Sequence, residues 1–171
     1  MKTLAMMNDR RVSLDFHGVI NSNPEFFREL ADLWRRTGYL IYVVSGGPAD
    51  YIAAYLQEQR IAYDRLWCIF DYFNAREKVK VEADGSFYID DNLWNAAKGK
   101  FCAAECVGLH LDDSKVYGQY FTTPYVRFAT KEQCFVTAAE SIAIADGAES
   151  VWKRLSAYYA EPVRTCSCQF L

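Results

Sequence analysis

The chain has 171 residues, enough for one domain with a full core that buries roughly 70% of its unfolded surface. It is 51% hydrophobic and 24% charged with only four prolines and nine glycines, which excludes a disordered, collagenous or low-complexity chain. A net charge of -3 argues against a nucleic-acid binder driven by a basic face, and an aromatic content of 16% points to a core built on large rings.

In chain order, Arg11 to Ile20 reads as a buried strand that breaks at His17-Gly18. Asn23 followed by Pro24 is a helix start, a capping side chain and then proline at the first helical position. Phe26, Phe27, Leu30, Leu33 and Trp34 recur at helical spacing up to the stop at Gly38. Tyr39 to Val44 is a continuous β-branched run, as in a strand buried on both faces, and it ends in Ser45-Gly46-Gly47. Pro48 opens a second helix with Ile52, Tyr55 and Leu56 on one face, and Arg65 to Phe70 is a third apolar run. Strand, helix, strand, helix, strand at this spacing predicts an α/β architecture, a three-layer Rossmann-like parallel sheet with helices on both faces.

Residues 71–92 break the alternation: two short arms around Ala83-Asp84-Gly85 predict a β-hairpin flap. A helix is expected from about Leu93 to Cys106, a short strand over Val107 to Leu111, and a last strand over Thr122 to Phe128. Thr130 with Gln133 reads as a capping box that opens a C-terminal helical extension, about 130–161, interrupted at Asp146-Gly147. With no repeat and no linker, 1–171 reads as a single domain with its core at about 11–128.

In an open parallel sheet, ligands gather at the carboxyl ends of the strands. Here those ends carry Asp15-Phe16-His17-Gly18-Val19, Ser45-Gly46-Gly47 and Asp112-Asp113-Ser114. Carboxylates on such a rim suit a hard cation such as Mg²⁺, and glycine amides with a helix N-terminus suit a phosphate.

Leu14-Asp15-Phe16-His17-Gly18-Val19, then Val43-Val44-Ser45-Gly46-Gly47, then Leu109-His110-Leu111-Asp112-Asp113-Ser114 resemble, in that order, the motifs of the haloacid dehalogenase (HAD) superfamily over roughly Arg11 to Phe128. The resemblance implies a Mg²⁺-dependent phosphohydrolase, phosphatase- or nucleotidase-like, in which Asp15 attacks phosphorus and forms an aspartyl-phosphate. It implies magnesium held by Asp15, the backbone carbonyl of His17, Asp112 and Asp113, phosphoryl oxygens held by Ser45 and Gly46, and a catalytic lysine at Lys98, with Lys100 the neighbouring alternative. Tyr88-Ile89-Asp90-Asp91-Asn92 is a competing acidic motif, which would move the lysine to Lys78 or Lys80. The hairpin turn favours Asp112 and Asp113 and leaves Asp90, Asp91 and Asn92 to cap the following helix.

The first motif departs from the family pattern at His17, where an aspartate serves as acid and base. An imidazole, with an unperturbed pKa near 6.5, can take that role; otherwise acid/base catalysis is lost and the domain is a weak enzyme or a phosphate-binding module. The short stretches between motifs leave no room for a large cap domain, so the expected partner is a phosphorylated substrate, a small molecule, a nucleotide or something larger. Arg76, Lys78 and Lys80 in the hairpin are either contacts for a substrate phosphate or an exposed charged edge.

The segment before Asn8 is too short to be a signal-peptide hydrophobic region, and no run reaches the ~18 apolar residues of a membrane span, so a cytoplasmic protein with reduced thiols is expected. Cys102 and Cys106, four apart, read as buried thiols. Cys166 and Cys168 are a candidate redox or metal pair, and the final Cys168-Gln169-Phe170-Leu171 formally fits a prenylation box but lacks the aliphatic residue after the cysteine.

Overall fold

The computed structural model describes residues 10–159. Within them, β1 (Arg10–Leu14), α1 (Pro24–Arg36), β2 (Tyr39–Ser45), α2 (Ala49–Glu58) and β3 (Arg65–Cys68) alternate as the sequence predicts. They are followed by α3 (Ile69–Asn74), a hairpin of β4 (Lys80–Val81) and β5 (Phe87–Tyr88), α4 (Asp91–Ala104), β6 (Leu109–Asp112) and β7 (Tyr125–Ala129). The chain then adds β8 (Cys134–Val136), β9 (Ser141–Ala143) and α5 (Ala148–Leu155). The sheet order is β3-β2-β1-β6-β7-β8-β9, parallel from β3 through β7 and antiparallel from β7 to β9. This is an α/β fold compatible with a Rossmann-like arrangement. Among the described residues no helix is long and apolar enough to cross a membrane.

The period-2 alternation of β2 sorts the two faces. Ile41 and Val43 join the main core with Phe27, Leu30 and Trp34 of α1, Ile52 and Leu56 of α2, and Val151 and Leu155 of α5. Tyr42 and Val44 point the other way, onto Cys102 of α4 and Val107. Helices therefore cover both faces, and the strand ends are left uncovered by them.

Local chemistry sets the helix ends. Asn23 caps α1 by accepting from Phe26 N at 3.1 Å, with Pro24 in the first turn and Arg35 and Arg36 in the last, where they complement the helix dipole. The Asp90 carboxylate caps α4 through the amides of Asn92 and Leu93, at 3.0 and 3.2 Å. The first turn of α2 borrows its acceptor from α3: Ala49 N donates to Asp71 Oδ2 at 2.9 Å.

Three expectations are corrected. The stretch before Gly147 is not α-helical, because Phe135 and Ile142 alternate with polar or part-exposed neighbours at strand spacing and are both fully buried, which draws β8 and β9 into the sheet; the expected helix appears only after Gly147, as α5. Thr130 and Gln133 form no capping box: Gln133 has φ 49° and its side chain donates to Thr130 O at 2.7 Å, closing a turn between β7 and β8. The stretch read as a hairpin insertion begins with α3, since Ile69 and Phe73 are buried on a helical face, and the two hairpin strands are only two residues each.

Gly99 fixes how α4 is seated, because a Cβ there would run into the carbonyl of Tyr120 in the loop after β6. Gly99→Ala is therefore expected to lower stability by about 1–3 kcal/mol through overpacking, with Lys98 displaced as well. Urea unfolding at pH 7 measures it, and an unchanged midpoint overturns it.

Candidate functional site

The site forms where the parallel strands end. Leu14 is paired with Leu111, and Asp15 N donates to Leu111 O at 2.8 Å, so Asp15 and Asp112 leave neighbouring strands at the same level. Ser45 closes β2 on the other side of β1, and Lys98 comes in from the middle of α4.

These residues form one hydrogen-bonded cluster. Asp15 Oδ1 accepts from Ser45 Oγ at 2.6 Å and from Phe16 N at 2.7 Å. Lys98 Nζ lies 2.9 Å from Asp15 Oδ2 and 2.7 Å from Asp112 Oδ2, with 3% of its side chain exposed. Asp112 Oδ2 also meets His110 Nε2 at 3.0 Å, while its Oδ1 accepts from Ser114 N at 2.9 Å. His110 Nδ1 is 2.7 Å from Ser13 Oγ, and the imidazole stacks on Phe121 with centroids 4.8 Å apart.

Electrostatics accounts for the burial of so much charge. Burial works to lower the pKa of Lys98, but the carboxylates of Asp15 and Asp112 outweigh it and hold the ammonium protonated. Burial likewise works to raise Asp112, and Lys98 with His110 holds it well below the usual carboxylate range. For His110, burial opposes the charge, while Cys102 and Asp112 raise its pKa to about 9. Asp113, half-buried, is raised by desolvation and then by the like charges of Asp15 and Asp112.

Ligand atoms of Asp15, Asp112 and Asp113 lie within 4.8 Å of one another. Lys98 and His110 are two cations against three converging carboxylates, and Asp113, raised first by desolvation and then by the like charges of Asp15 and Asp112, is the carboxylate left without a cation of its own. An all-oxygen donor set short of positive charge fits a hard divalent cation such as Mg²⁺. Gly18 leaves room for this arrangement: it has φ 74°, and a Cβ there would strike the Asp113 carboxylate.

Of the residues singled out from the sequence, Asp15, Ser45, Lys98, Asp112 and Asp113 come together. Gly46 lies in the turn after Ser45, where a Cβ would sit 3.2 Å from the Trp94 ring. His17 is exposed at the lip of the site, with its Nε2 3.3 Å from Gly47 O rather than on the Asp15 carboxylate. The competing Asp90 and Asp91 are exposed at the start of α4, Lys100 is exposed on the same helix, and Lys78 and Lys80 are exposed around the hairpin. Cys102 is a buried free thiol as expected, whereas Cys106 is disulfide-bonded, which corrects the expectation of reduced thiols throughout. Cys166, Cys168 and the terminal four-residue box lie outside the described residues.

Sequence reasoning missed Ser13, His110 and Thr130. Ser13 and His110 carried a signal, since each is a polar residue inside an apolar strand triplet, Val12-Ser13-Leu14 and Leu109-His110-Leu111. Thr130 carried none: its Oγ1 donates to Gly18 O at 2.6 Å, across 112 positions of sequence.

No protein-family model matches the chain, and no curated protein matches it.

Lys98→Met would leave Asp15 buried without its cation and Asp112 with His110 alone, and a loss of about 3–5 kcal/mol at pH 7 is expected. A depressed carboxylate stabilises the fold above its unfolded pKa near 3.9 and loses that contribution as acid protonates it, so the deficit of the variant should shrink on acidification. Urea unfolding of both proteins between pH 2 and pH 7 checks this; a pH-independent difference over that range contradicts it.

Proposed function

We propose that the chain is a Mg²⁺-dependent phosphohydrolase of the haloacid dehalogenase type that cleaves phosphate monoesters through an aspartyl-phosphate on Asp15. The observation that carries this reading is the buried Lys98 ammonium shared between Asp15 and Asp112, with the Ser45 hydroxyl on the first of these carboxylates. A structural ion pair needs one carboxylate, whereas phosphoryl transfer needs a nucleophile, cations and hydrogen-bond donors on one small volume.

In the first step the Asp15 carboxylate attacks phosphorus, the P–O bond to the alcohol breaks, and His17 protonates the departing oxygen. Ser45 and the Gly46 amide receive the phosphoryl oxygens, and Lys98 orients the Asp15 carboxylate. In the second step His17 accepts a proton from water, the hydroxide displaces Asp15 from phosphorus, and inorganic phosphate leaves. Magnesium, held by Asp15, Asp112, Asp113 and the carbonyl of His17, supplies positive charge against the phosphoryl group. The exposure of His17 suits it to meet a leaving group that arrives from solvent, and a hairpin in place of a large cap admits nucleotides or larger esters.

One observation favours a second reading, a phosphate-binding or interaction module with little turnover: the His17 imidazole is engaged with Gly47 O. Turnover across a panel of phosphate monoesters with Mg²⁺ separates the two. The enzyme reading expects Asp15→Asn to lower kcat/KM by about a thousandfold or more, and activity that survives this change overturns it. For His17, His17→Ala should lower kcat by about a hundredfold and abolish one limb of the pH-rate profile. Superimposable profiles would remove His17 from the mechanism.

A further inference from the structure

The Ser45-Gly46-Gly47 turn is flanked by two aromatic residues, with Asp71 and Cys68 also against Gly47. Trp94 lies against Gly46, and Phe70 lies against Gly47, where a Cβ would sit 3.3 Å from Phe70 Cβ; Phe70 N also donates to Gly46 O at 2.9 Å. Both rings support a third from the hairpin: the Phe87 centroid is 4.8 Å from that of Phe70 and 5.9 Å from that of Trp94. Trp94 Nε1 donates to the Tyr117 hydroxyl at 2.8 Å, and the Tyr117 ring has Lys98 Nζ 5.0 Å from its centroid. A continuous aromatic path thus runs from the ammonium at the centre of the site to the hairpin.

Phe87 is 45% exposed, although two neighbours hold it in place. A ring recruited for core packing is buried. A ring braced by two others and left open to solvent has surface free for a ligand. A hairpin with two-residue strands gains little from such a residue, and its cross-strand partner Val81 is 60% exposed as well.

The geometry points to Phe87, braced by Phe70 and Trp94, as a specificity-determining platform that stacks on a planar aromatic group carried by the alcohol portion of the phosphate ester. This rests on the phosphohydrolase reading for the position of the phosphate, and it adds the class of substrate. A phosphate held at Ser45 and Gly46 places its leaving group next to these rings. Every planar π system, a nucleobase or a phenol, can use the Phe87 face, whereas an aliphatic alcohol leaves it wet.

The test compares two pairs of ligands. Adenosine 5′-monophosphate against ribose 5-phosphate isolates a base set one sugar away from the phosphate, and 4-nitrophenyl phosphate against glycerol phosphate isolates a ring on the ester oxygen itself. Binding is measured by calorimetry with Mg²⁺ in the Asp15→Asn background, so that no turnover is needed, and kcat/KM is measured in the otherwise unaltered chain. In at least one pair the aromatic ligand should bind about tenfold more tightly; Phe87→Ala should abolish that preference, and Phe87→Trp should restore it. The pair that responds identifies the source of the ring. Equal affinities within both pairs, or a preference that survives Phe87→Ala, overturn the platform. A Phe87-dependent preference without any turnover would sink the phosphohydrolase reading and leave the platform standing; turnover without the preference would do the reverse.

Discussion

One buried ammonium organises the rim of this protein. Three strands and a helix bring polar groups to a place where the backbone has left an otherwise apolar sheet, and Lys98 bridges the carboxylates of Asp15 and Asp112 there. The position of Lys98 follows from the seating of α4, which depends on a glycine facing the Tyr120 carbonyl and on the Asp90 cap at the start of the helix. A second buried layer, Ser13 and His110, meets the same Asp112 oxygen as Lys98, while the Ser114 amide holds the other. The carboxylate pair is thus held from two elements at once, and its orientation is settled before any ligand arrives.

Much of this was legible in the sequence because the relevant signals are local. Asn23-Pro24 starts α1 where it should, Tyr39–Ser45 is a strand buried at every position but Leu40, and the polar residues that end β1, β2 and β6 meet on one rim. Asp90-Asp91 and Asp112-Asp113 look alike as strings, and their different fates follow from neighbours. The first pair stands after a two-residue strand of a small exposed hairpin, and the second ends a strand flanked on both sides by sheet. The hairpin turn hinted at this, but sheet order is a tertiary fact.

The failures share a cause. The region after Phe128 has short apolar alternations, Cys134-Phe135-Val136 and Ser141-Ile142-Ala143, too brief for periodicity to separate strand from helix, and a Thr/Gln pair at capping spacing tilted the reading the wrong way. What decides it is the open edge of β7, which offers unpaired backbone groups to any segment that can pair. The two antiparallel strands cover that edge and end it in a strand of three residues, too short to template further pairing.

The bond between Thr130 and Gly18 ties these two regions together. The loop that shapes the Asp15 end of the site is held by a residue that arrives only after β7 has been laid down, and loop closure over so long a separation is costly and slow. During synthesis, then, a helix-covered β1–β2–β3 unit can collapse well before its strand ends acquire their final form. The Asp15 end of the site therefore takes its final form only once β7 and Thr130 are in place.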